Sequence, residues 1–203
     1  TDGKKLRLDL QTAAADNKLS SIIAFDNGRK PLLRGEVKTE TTFFKDAAGL
    51  STAHVAVKPS DILVGDTVWK VRASELTYQQ NHLVFHQFAV SHNNQHIIID
   101  GAATKNPMDS VAVELKDVDV NYILGLVDFH SVEFDGLATG TAIVKTPFTT
   151  PDAYARLKVR NFRFEGGDMG TLTADVRFNN LKGQIDIDAI ANDGPIKNTF
   201  ING

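Results

Sequence analysis

Leu83-Val84-Phe85-His86-Gln87-Phe88-Ala89-Val90 is the stretch that decides the fold. Its apolar residues 83, 85, 88 and 90 are spaced two, three, two. Strand side chains alternate between faces, so a straight strand would turn the second pair away from the first. One extra residue, absorbed in a bulge or corner, returns both pairs to one face. The same spacing recurs at Val113, Leu115, Val118 and Val120, and at Leu157, Val159, Phe162 and Phe164. Each gap is polar: His86-Gln87, Lys116-Asp117 and Arg160-Asn161. Three such stretches predict three bent strands, each with two inward halves. Stacked in register, they form a long curved sheet with an apolar concave face. Their unequal intervals do not fit a strict short-period solenoid.

Outward from this stretch the alternation continues. Leu6, Leu8 and Leu10 alternate with Lys5, Arg7 and Asp9, and Val37, Thr39 and Thr41 with Lys38 and Glu40. Trp69 and Val71, Leu172 to Phe178, and Ile185 to Ala189 do the same. Turn signals fall at Asp26-Asn27-Gly28, Lys58-Pro59-Ser60-Asp61, Asn93-Asn94, Lys105-Asn106-Pro107, Gly166-Gly167-Asp168 and Asn179-Asn180. The spacing predicts about a dozen strands in an all-β fold. Buried parallel strands would read as continuous apolar runs, so an α/β core is disfavoured. Two short helices are expected at most, over Asn121 to Val127 and over Ala13 to Phe25.

The chain has 203 residues, 42% of them hydrophobic, and a net charge of -3. That is enough apolar mass for a core, with no basic excess to neutralise phosphates, so a nucleic-acid partner is disfavoured. Without cysteine there is no disulfide, thiolate metal site or cysteine nucleophile. No run of ~18 apolar residues offers a membrane span. With Thr1 in place of a starting Met, the expectation is one continuous β segment, residues 1–203, of a longer protein.

No enzyme signature emerges, and no cofactor or metal is implied. His82, His86, His92 and His96 would suit a metal at i, i+4 on a helix, but here four residues of strand span roughly 13 Å. His92 and His96 flank a turn and could approach each other, yet no acidic third ligand is placed beside them. Asp186 and Asp188 share a face opposite Ile185 and Ile187, and read as solvated carboxylates. The glycines of Asp135-Gly136-Leu137-Ala138-Thr139-Gly140 and of Glu165-Gly166-Gly167-Asp168-Met169-Gly170 match no phosphate loop. They read as turns, bulges or close strand approaches.

Taken in order, several segments resemble the TamB family (translocation and assembly module, inner-membrane factor), especially its Bacteroidetes versions, and share the texture of AsmA-like proteins. They are Gly65-Asp66-Thr67-Val68-Trp69-Lys70-Val71, Asn93 to Gly101, Asp109 to Val120, Phe134 to Ala142, Phe162-Arg163-Phe164-Glu165-Gly166 and Met169-Gly170-Thr171-Leu172. The likeness is clearest over residues 65–191 and carries no catalytic residue. It implies a β-taco, a sheet folded lengthwise around an apolar groove. It further implies a periplasmic location within an inner-membrane-anchored envelope protein. The implied roles are outer-membrane protein assembly with a barrel partner, and phospholipid transport between membranes.

A lipid conduit needs many similar apolar sites inside and polarity outside, which alternating strands supply; each methylene buried contributes about 0.8 kcal/mol. The expected groove residues are Leu83, Phe85, Phe88, Val90, Ile97, Ile99, Val113, Leu115, Val118, Val120, Leu157, Val159, Phe162 and Phe164. Their cargo would be phospholipid or an unfolded outer-membrane protein. The alternative is a closed β-sandwich that binds glycan or a partner protein at the cell surface. Such a module wants exposed aromatics; Trp69 reads as inward, leaving only Tyr78 and Tyr154.

Overall fold

The structure is a computed structural model and describes residues 7–15, 18–26, 33–45, 47, 49–126, 133–149, 151–179, 184–193 and 198–202. The strands are β1 (Arg7–Ala15), β2 (Lys18–Asp26), β3 (Leu33–Lys45), β4 (Ser51–Val57), β5 (Ser60–Val64), β6 (Thr67–Val71), β7 (Ser74–Gln79), β8 (His82–His92), β9 (Gln95–Ala103) and β10 (Ser110–Asp119). A helix, α1 (Val120–Leu126), precedes β11 (Phe134–Lys145), β12 (Asp152–Phe164), β13 (Gly167–Asn179), β14 (Gln184–Asn192) and β15 (Asn198–Asn202). All fifteen strands lie in one sheet whose pairings are antiparallel. The chain is all-β, as expected, and among the described residues the strands make one continuous sheet and not two separate ones.

Chain order is sheet order, apart from one excursion. β3 pairs with β4 through Thr39–Lys45 and with β5 through Leu33–Gly35. β8 pairs with β7 through His82–His86 and with β6 at Val90 and Ser91. β4 and β5 are therefore halves of one long strand on the β3 edge, and β6 and β7 halves of another on the β8 edge. Val57 pairs with Ser74 on one side of the joint and Ser60 with Val71 on the other. Pro59 has no ladder donor, which is why the pairing breaks there. The Lys58 N–H still donates to the Lys38 carbonyl at 2.8 Å, and the Lys38 N–H donates to Ser60 Oγ at 3.2 Å. Lys58-Pro59-Ser60-Asp61 is thus a mid-strand joint, not the expected turn. The reversal comes at Gly65-Asp66, between the paired Val64 and Thr67.

The three two-three-two stretches each contain a bulge. Register shifts fall between Phe85 and Phe88, Leu115 and Val118, and Val159 and Phe162. The second gap residue takes the same left-handed conformation each time: Gln87 at φ 51°, Asp117 at φ 51° and Asn161 at φ 52°. Each bulge faces a single residue on the next strand, Asp100, Thr139 or Thr171. The Asp100 carboxylate accepts from the Gln87 N–H at 2.9 Å, and Thr139 Oγ1 accepts from the Asp117 N–H at 3.0 Å. Donors freed by each of these two bulges thus find partners. A glycine adjoins each facing residue: Gly101, Gly140 and Gly170.

Two local expectations change. Ala13 to Phe25 is not helical: its described residues are strands β1 and β2, paired Ala13 to Ser20 and Ala14 to Leu19. Leu19, Ser21, Ile23 and Phe25 then pair with Thr41, Thr39, Val37 and Gly35 of β3. That shared face outweighs the helix preference of three alanines. Val120 is the first residue of α1, not an inward strand residue. The helix does form where the apolar residues are too dense for alternation, with Asp119 accepting from the Asn121 N–H at 2.8 Å to cap it. The signals at Asn27-Gly28 and Asn180 lie outside the described residues.

Candidate functional site: the apolar inner face

Register builds the inner face row by row. One row runs Leu76, Phe85, Gly101, Val111, Val144, Ala153, Phe178. The next runs Phe88, Ile99, Val113, Ala142, Ala155, Val176, Ile187. A third runs Val71, Val90, Ile97, Leu115, Gly140, Leu157, Ala174, Ala189, Ile201. The fourth runs Val118, Ala138, Val159, Leu172, Ala191, Thr199. Apart from Thr199 these rows carry no polar side chain.

Burial divides this surface in two. No residue of the Phe88 row is buried, and Ile187 at its end is 39% exposed. In the Val118 row, Val118, Ala138, Val159 and Ala191 are all buried. Helix α1 contributes to the contrast, beside strand residues such as Phe25, Leu33 and Val37 on the first cluster. Tyr122 and Ile123 pack against the cluster of Val57, Ile62, Trp69, Val71, Leu115 and Val118. Ile123 also packs, with Val120, against the cluster of Ala138, Val159, Phe162 and Ala191. The Val118 row is therefore covered, by α1 together with Phe134, Met169 and Ile201, while the Phe88 row stays only half-buried. The whole chain exposes 12958 Å², where a compact protein of this mass exposes about 9,400 Å².

The expected groove residues distribute over both halves. Leu83, Phe85, Phe88, Val90, Ile97, Ile99, Val113 and Leu157 are half-buried strand residues of the inner rows or their ends. Leu115, Val118, Val159 and Phe162 are buried. Val120 belongs to the covering helix. Phe164 is 41% exposed at the end of β12, its ring 5.6 Å from that of Phe134. The two-three-two pattern missed Leu76, Val144 and Phe178, which continue the rows from other strands, and Val111, which extends its own strand β10. Trp69 is inward, as expected, and fully buried.

Of the polar candidates, His92 continues the inner face of β8 two residues past Val90, with its ring 6.0 Å from that of Trp69. His92 and His96 do not approach each other, because β8 and β9 pair His92 with Gln95 and Ser91 with His96. His92 Nδ1 lies 2.8 Å from the Val68 carbonyl, and His96 Nε2 lies 3.3 Å from Glu114. Among the described residues no three potential ligands cluster. Asp117 is the best-built polar group. Its Oδ1 accepts from Arg160 at 2.7 Å and from Thr139 Oγ1 at 3.2 Å, tying the bulges of β10 and β12 together across β11. The Arg160 hydrogen bond holds its carboxyl below the usual aspartate range, against the opposing effect of desolvation.

Tyr78 and Tyr154 are each about half exposed, but Tyr78 pairs with inner-face Leu83 while Tyr154 lies between the inward Ala153 and Ala155. They stand on opposite faces and form no joint platform. Among the described residues no helix is long and apolar enough to cross a membrane. Comparison with family models, with curated proteins and with solved structures finds no match to this chain.

Proposed function

We propose that this chain is a non-enzymatic, periplasmic segment of a TamB-like envelope protein whose inner face carries phospholipid acyl chains. The observation that carries the reading is the open Phe88 row. Seven apolar or small residues on seven adjacent strands stay half-buried or exposed, even though Phe88 and Val113 touch the Trp69 cluster at one side. A stored core would close over such a row, because every uncovered methylene forgoes about 0.8 kcal/mol. An acyl chain lying across the strands recovers that energy, and the sameness of successive rows lets it slide. Outer-membrane protein clients are the second cargo this family resemblance implies. They are favoured by the terminal strands β1 and β15, where strand addition is possible. A barrel partner at the outer membrane would belong to the longer protein.

Native mass spectrometry of the purified chain tests the reading directly: bound phospholipid is expected. A photo-cross-linker at Phe85 should label lipid, while one at exposed His82 should not. Phe88→Arg places a cation in the open row and should abolish labelling in a protein that still folds. If lipid binding survives that change, the inner face is not the carrier.

A further inference from the structure

The inner face continues beneath α1. The Val118 row follows the open rows in register, and Tyr122 and Ile123 lie where the next apolar occupant of the groove would lie. Tyr122 meets Trp69 edge to face, with centroids 6.1 Å apart. Trp69 Nε1 is buried with no acceptor, and Ser74 Oγ, across the strand joint, is likewise buried without a partner. Buried polar atoms are normally satisfied, so the helix covers this region without fully matching it.

The helix itself is weak. It has seven residues, includes Gly125, and has no acidic residue in its first turn or basic residue in its last. Besides the Asp119 cap, its polar tether among the described side chains is Asn121, which donates to Asp119 at 3.1 Å and to Asp135 at 2.9 Å. Among the described residues, what holds α1 is therefore mainly the apolar surface under Val120, Tyr122 and Ile123. A lipid tail offers that surface the same kind of contact.

We propose that α1 is a displaceable plug over a second acyl-chain compartment, walled by Trp69, Val118, Val159 and Phe162. The inference rests on the acyl-carrying reading above: a lipid tail on the open rows enters this compartment by displacing Tyr122 and Ile123. The plug then decides whether the groove is a dead end or a through path.

The chain has no cysteine and a single tryptophan, which makes the test clean. In the double variant Asn121→Cys with Asp135→Cys, a short bis-maleimide fixes α1 to β11; capping both thiols with N-ethylmaleimide leaves α1 free. Phospholipid with dibrominated acyl chains quenches tryptophan only on contact. Capped protein should lose most of its Trp69 emission on adding this lipid, and bridged protein should keep it. Native mass spectrometry should count bound lipid in both forms. Equal quenching in the two forms overturns the plug. So does bound lipid that quenches neither form, which would leave acyl carriage on the open rows standing. Bound lipid in neither form, nor in the unmodified chain, overturns both readings. Tyr122→Ala is the second variant: it should shift quenching to lower lipid concentration, and an unchanged titration counts against the plug.

Discussion

Gly166 and Gly170 offer a matched pair that isolates what holds the bend. Both have left-handed backbones, at φ 77° and φ 73°. A Cβ at Gly166 meets nothing within 4 Å. At Gly170, which pairs with Phe162 beside the β12 bulge, a Cβ would press on the Asn192 carbonyl oxygen and lie 2.8 Å from Asp193 Cα. Alanine in either place carries a left-handed cost of about 1–2 kcal/mol. A stiffer unfolded chain offsets about 0.4–1 kcal/mol of that. Gly166→Ala should therefore cost about 0.5–1 kcal/mol. Gly170→Ala adds forced separation of β13 from β14, about 1–3 kcal/mol by analogy with overpacked cores. Urea unfolding followed by Trp69 fluorescence measures the difference, provided the slope with urea is unchanged. Equal losses in the two variants would show that the close approach of β13 and β14 does not hold the bend, and the reasoning would fail.

Phe162→Ala, at a side chain 1% exposed, should cost about 3–5 kcal/mol, whereas Phe164→Ala should cost far less because its ring is already partly in water. Urea midpoints for the two variants check this, and similar losses would contradict the burial. Asp117→Asn should destabilise the fold at neutral pH by about 1 kcal/mol, a charged hydrogen bond discounted for its half-exposed arginine. The Asp117 carboxyl is depressed in the folded state, so its contribution is full above the ordinary aspartate pKa of about 4 and fades as pH falls through the lower folded value. The difference between wild type and Asp117→Asn should therefore narrow in acid. A gap that widens below pH about 4 would reverse the sign and refute the assignment.

The bends were legible because they break a strict rule. Period-two alternation tolerates no odd spacing on one face, so Phe85 to Phe88, Leu115 to Val118 and Val159 to Phe162 each demanded an extra residue. What spacing could not reveal is that the bulge needs cooperation from the facing strand. Asp100 and Thr139 supply a polar partner at the first two, and Gly101, Gly140 and Gly170 a missing Cβ at all three. This second signal was present in the glycine-rich stretches, where it read only as turns or close approaches. Ala13 to Phe25 misled for the opposite reason: helix preference is local, whereas the Thr39 and Val37 partners that make β2 a strand lie well over a dozen residues away.

The division of the inner face into open and covered halves was not legible, and the reason is physical. Phe88 and Phe162 occupy equivalent places in the same repeated pattern, yet one is half-buried and the other buried. The difference comes from where each bend falls. In β8 it lies above the Phe88 row; in β10 it lies two rows further, between Leu115 and Val118, and in β12 one row beyond that. The bends thus step diagonally across the sheet. The far corner of the inner face, past the β10 bulge, is where the chain leaves β10 directly into α1. A helix emerging there needs no long connection to lie on the Val118 row, and it is too short to reach the Phe88 row: seven residues extend only about 10 Å. The geometry that curves the sheet therefore also limits its cover, so the open rows are a consequence of bend position and helix length together. Moving the β10 bulge by two residues toward Val113, with α1 following, should bring the open rows under the helix and abolish lipid labelling at Phe85; labelling that persists would separate the cover from the bend.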